Sequence, residues 1–144
     1  MFTEEEQPLG ERDERQAYID DMVTRRGYVL EYHKVMVNND LDFMKAADGI
    51  VHAAYLEERR LDRRTKELIF IVSLTVLGAA REHIQSHIRV ALQLGVSSEE
   101  ILEAIEISFP QAGAVAFQRG FEAWQEVVDA PGIEPSPEAT PQGS

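Results

Sequence analysis

Residues 62–95 read DRRTKELIFIVSLTVLGAAREHIQSHIRVALQLG, and this stretch decides the fold. Asp62 is a helix-capping residue placed before a long run without proline or glycine, and Gly78 is a natural terminator. After Lys66 the run is apolar nearly all round, which predicts a helix buried on most of its faces. A second helix is expected over about 80–94, with Ile84, Ile88 and Ala91 forming its apolar stripe and Gly95 ending it.

The same helical period extends outward in both directions, and no segment alternates as a strand would. Upstream, a helix is expected over about 12–37, bent at Gly27, and another over about 41–58 after the stop "NND". Downstream, Ser97 and Glu100 stand at capping-box spacing before "ILEAIEISF", and Pro110 breaks or kinks that helix. A last helix over about 111–128 carries small residues early (Ala112, Gly113, Ala114, Ala116), suited to close helix approach, and Phe117, Phe121 and Trp124 later. The expected fold is all-α, a bundle of about six helices over residues 12–128. Residues 1–11 read as an acidic arm, and residues 129–144, which hold four of the six prolines, as a disordered tail.

Composition removes several function classes. A chain of 144 residues with 44% apolar content suits one globular domain. No apolar run reaches the roughly 20 residues that a membrane helix requires, and the acidic N-terminus lacks the features of a secretory signal, so the expectation is a cytoplasmic protein with no membrane partner. The absence of cysteine excludes disulfides, thiolate metal sites and thiol redox chemistry. With 26 acidic against 14 basic residues the net charge is −12, which repels phosphate backbones and argues against nucleic acid as a partner.

Few residues are left to carry chemistry. His83 and His87 lie four apart on one helix face, one turn from each other. Such a pair can be structural, can bind a metal with a third ligand, or can move protons; Glu82 precedes His83, so the arrangement is not H-E-x-x-H, and no metal is expected. Glu67 enters the most apolar helix, where a carboxylate is driven toward its neutral form. Arg81 and Arg89 could hold an anionic ligand, although surface ion pairs are the simpler use for them. His33 and His52 stand alone, and "EERRLDRR" at 57–64 reads as a solvated or subunit-bridging charge cluster.

The order of these features over about residues 61–127, and more loosely over 28–60, resembles the carboxymuconolactone decarboxylase and alkylhydroperoxidase-like family, most specifically in "LDRRTKELI", "HIRVALQLGVSSEEI" and the "AG" of the last helix. The resemblance implies an alkylhydroperoxidase-like helical fold and a homotrimer or homohexamer. In the redox branch a Cys-x-x-Cys-x-x-x-His segment follows the buried helix; here its positions fall on Ala80, His83 and His87, with the family's glutamate on Glu67. Both thiols are missing, so thiol peroxidase chemistry is excluded. The decarboxylase branch keeps a histidine at His87 and tends to have glutamate where His83 stands, so the chain departs from both branches there. What the resemblance implies is a cofactor-free acid–base enzyme of aromatic-compound catabolism, acting on a small anionic lactone or keto compound. In it His87 is the acid/base, His83 and Glu67 assist, and Arg81 or Arg89 contacts substrate. The alternatives are a non-enzymatic helical oligomer or small-ligand binder, and a metal site built on His83 and His87.

Overall fold

A computed structural model describes residues 9–130. The chain divides into two compact units, Met1–Glu57 and Glu58–Ser144. The described residues of both are helical and contain no strand, as the sequence predicts.

In the first unit α1 (Leu9–Arg26), α2 (Glu31–Asn39) and α3 (Leu41–Val51) pack around Ile19, Met22, Val37 and Met44. Gly27 does more than bend the first expected helix. Its φ of 86° lies in the left-handed region, so the chain stops and restarts as α2. His33 secures the restart: its Nδ1 accepts the Leu30 backbone N–H at 3.0 Å, three residues back, in the manner of a capping box. Asp40 caps α3 by accepting from the Phe43 N–H. The expected helix over 41–58 ends in a π-helical turn, His52–Leu56, with Tyr55 fully buried.

The second unit is built on α4 (Arg63–Leu77), α5 (Arg81–Gln93), α6 (Ser98–Glu106), α7 (Ser108–Ala112) and α8 (Ala114–Val128). Asp62 accepts from the Thr65 N–H at 2.7 Å, and Gly78, at φ 72°, closes α4. The predicted capping box is present, with the Ser97 hydroxyl accepting the Glu100 N–H and Glu100 accepting the Ser97 N–H. The break near Pro110 falls at Ile107, because the proline ring crowds the carbonyl four residues earlier, at Glu106, where α6 ends. Ile71, Ile84, Ile88, Ala91, Ile101, Ile105, Ala123 and Val127 form the core. No helix among the described residues is long and apolar enough to cross a membrane.

Two expectations need correction. Ala112 and Ala114 are exposed rather than packed, and the close approach is made by Gly120 instead. A Cβ there would stand 2.6 Å from the Thr75 side chain, so α8 meets α4 at a distance only glycine permits. Nor is α4 buried on most faces. Glu67, Ile71 and Thr75 form its buried stripe, whereas Ile69, Val76 and Leu77 are exposed, Leu77 by 80%. These exposed residues border an apolar groove along α4, α6 and α7, floored by Leu68, Val72, Ala104 and Ile107. The acidic arm and proline-rich tail lie largely outside the described residues, α1 already beginning at Leu9.

Candidate active site

Gly78 turns the chain back so that α5 runs against α4, and the two helices bring Glu67 and His87 together inside the second unit. Glu67 occupies the second turn of α4, on the stripe it shares with Ile71 and Thr75. His87 sits mid-helix among Ile84, Ile88 and Ala91. Neither side chain has any exposed surface. Glu67 Oε2 and His87 Nδ1 are 2.8 Å apart, a hydrogen bond with one proton between them. The Phe70 ring stacks on the imidazole, centroids 4.7 Å apart and planes 16° from parallel, and so fixes its orientation.

The other carboxylate oxygen, Oε1, accepts from Arg63 Nε at 3.1 Å. Arg63 lies one turn earlier on the same helix and keeps 24% of its side chain exposed, whereas its partner keeps none. Burial pushes the Glu67 carboxyl up, to about 8. A carboxyl raised this far and hydrogen-bonded to an imidazole can share its proton with Nδ1. While the pair holds its extra proton, His87 Nε2 also carries one; when the pair loses it, Glu67 is anionic, Nδ1 keeps its N–H and Nε2 becomes a base.

His83 is half-buried, one turn toward the N-terminus of α5, its ring centroid 5.5 Å from that of His87. The residues read from the sequence as Glu67, His83 and His87 thus form one cluster. Arg81 and Arg89 do not join it. Arg81 is engaged by Glu122 at 2.9 Å and by Glu126, both on α8. Arg89 is exposed and lies two residues past His87, a spacing that places the two on different sides of the helix. Of the lone histidines, His33 is buried in the first unit as the cap of α2, and His52 is exposed at the start of the π-turn.

Arg63 is the member of the cluster that the sequence reading missed, because "EERRLDRR" presents it as one of several solvated charges. The signal that could have found it is its four-residue spacing from Glu67. Among the described residues no group of three or more His, Cys, Asp or Glu side chains could hold a metal ion.

The chain matches the model of the carboxymuconolactone decarboxylase family over residues 42–126, a span that contains the whole α4–α5 hairpin. No curated protein and no solved structure matches it.

Proposed function

From the premise that the chain belongs to the carboxymuconolactone decarboxylase family, we propose that it is a cofactor-free acid–base enzyme. Its reaction is decarboxylation, or a related proton transfer, on a small anionic lactone or keto compound. The buried Glu67–His87 pair, 2.8 Å apart with the carboxyl raised by burial to about 8, carries this reading. Breaking the C–COO⁻ bond releases CO₂ and leaves an electron pair that spreads onto the neighbouring carbonyl as an enolate. That enolate must be stabilised at oxygen and protonated at carbon. His87, with Nε2–H in the protonated form of the pair, supplies the proton, and Glu67 holds Nδ1 in place and compensates the charge. His83, the more exposed imidazole, meets the substrate oxyanion. One proton then returns from solvent to restore the pair. Arg81 and Arg89 carry no step.

The test is CO₂ release from a panel of carboxylated lactones and keto acids. With a turned-over compound, His87→Gln should lower kcat by about 10²–10⁴-fold in a protein that still folds. Full activity in that variant would sink the assignment, as would a panel in which no compound either turns over or perturbs the imidazole resonances.

The apolar groove on α4, α6 and α7 supports the self-association that the family resemblance implies. Ile69, Val76, Leu77 and Ile107 are exposed along it, and covering them removes apolar surface from water. Light scattering of the full chain is expected to give a homo-oligomer, and Ile107→Glu is expected to dissociate it. A monomeric wild-type protein would remove this part of the proposal.

A further inference from the structure

Arg63 occupies an unfavourable place for an ordinary helix-stabilising cation. It is the first residue of α4, where the helix dipole disfavours positive charge. Its partner Glu67 lies four residues toward the C-terminus, the order that stabilises an isolated helix least. The neighbouring Arg64 is engaged elsewhere, donating to the Gly95 carbonyl at 2.9 Å. Arg63 nonetheless places Nε on one oxygen of a carboxylate whose other oxygen meets His87 Nδ1.

We propose that Arg63 is a positioning residue of the candidate site: by holding Glu67 Oε1 it keeps Oε2 on His87 Nδ1 and sets which nitrogen of His87 carries the proton. Its functional meaning rests on the acid–base reading above; its geometry does not. A guanidinium on Oε1 stabilises the anionic carboxylate against burial, and an anionic carboxylate draws the imidazole proton to Nδ1. His87 Nε2 is then bare once the pair has lost its extra proton, and carries the proton to be delivered while the pair holds it. Without Arg63 the carboxyl retains its proton, donates it to Nδ1, and confines His87 to the Nε2–H form over a wider pH range.

The other charged groups on the packed elements are placed differently. Glu100, Glu103 and Glu106 of α6 border the groove that meets Thr65, Leu68, Ile69 and Val72 of α4. On α8, Glu122 and Glu126 pair with Arg81, and Arg119 donates to the Ala79 carbonyl. On α5, Glu82 and Arg89 are exposed, and the His83 ring centroid lies 5.5 Å from that of His87.

The test uses the full chain with ¹⁵N-labelled histidine, following the His87 ring nitrogens by NMR as pH is raised. In the wild type Nε2 should pass from N–H to bare nitrogen as the pair titrates. In Arg63→Gln that crossing should move up by about one pH unit, a tenfold loss of the base form at a given pH. Arg63→Lys, which keeps a charge without the planar Nε–H, should fall between, and it serves alone if the glutamine variant does not fold. Arg64→Gln removes the adjacent charge and should leave the crossing in place. A crossing that stays at the wild-type pH in both folded Arg63 variants overturns the proposal, as does one that moves equally in Arg64→Gln. A shift in Arg63→Gln beside full activity in His87→Gln breaks the acid–base reading and leaves this inference standing. Lost activity in His87→Gln with no shift in either Arg63 variant does the reverse.

Discussion

Among the described residues each unit buries one carboxylate, and the two are driven in opposite directions. In the first unit Asp48 accepts from the Tyr18 hydroxyl at 2.6 Å, from Arg25 at 2.8 Å and from two guanidinium nitrogens of Arg26. Burial works to raise its pKa, but the hydrogen bonds from Arg25, Tyr18 and Arg26, with the Arg26 charge, outweigh it and hold Asp48 at about 2. The neighbouring Tyr18 is pushed up to about 12, by burial first and then by its bond to Asp48. In the second unit Glu67 meets the Arg63 guanidinium at one oxygen and the His87 imidazole at the other, and burial prevails. Burial alone therefore does not decide the charge of an acid; at Asp48 the hydrogen bonds and the Arg26 charge outweigh it. Asp48 is a fixed anion that organises α1 and α3, whereas Glu67 stays near the point where its proton is mobile.

The strongest test removes the fixed anion. Asp48→Asn takes the carboxylate away from Arg26, only 3% exposed, and should destabilise the protein by about 3–5 kcal/mol in urea denaturation. A loss under about 1 kcal/mol would show that Asp48 does not hold the network together. Acid offers a milder version. Because the folded pKa of Asp48 lies below its unfolded value, its contribution is present above about pH 4 and disappears as pH falls through about 2. About 2 kcal/mol should be lost over that interval, and the loss should be absent from Asp48→Asn.

Gly120→Ala supplies a packing control in the second unit. It forces a methyl group onto Thr75 and should cost about 1–3 kcal/mol without altering how stability depends on pH. A changed pH dependence would tie the α4–α8 contact to the Glu67 titration. Glu67→Gln has the opposite character. The folded pKa of Glu67 lies above its unfolded value, so wild-type stability should fall as pH rises from about 4.5 to about 8. The glutamine variant lacks this fall, so its stability relative to the wild type should grow across that interval. Parallel curves for the two proteins would show that Glu67 is ionised throughout. The smallest effect belongs to Tyr18→Phe, which deletes one donor to Asp48 and should cost about 1 kcal/mol while raising the acid midpoint slightly.

The sequence is legible where interactions are local. Asp62, Gly78, Gly95 and the Ser97–Glu100 box act within a few residues, and each forms the cap or stop its type predicts. Glu67 and His87 could be read because a carboxylate and an imidazole are conspicuous on apolar stripes. Arg81 could not, since the glutamates that engage it lie 41 and 45 residues away. The Asp48 network was equally hidden, its partners lying 22 to 30 residues upstream and the two arginines among them resembling ordinary surface charges. The missed exposure of α4 has another origin: apolarity predicts that a face will be covered, not that the same chain covers it.

The Gly78 turn carries a consequence for how the protein folds. Twenty residues separate Glu67 from His87, and one helical hairpin closes that span. Contacts this near in sequence form early, because closing a short loop forfeits little chain entropy. The cluster should therefore assemble within the folding nucleus of its unit, with high φ-values at Ile71 and Ile84 and lower ones at Val127 in α8. A substitution in the hairpin would then change the rate of refolding together with the chemistry, whereas one in α8 would chiefly accelerate unfolding.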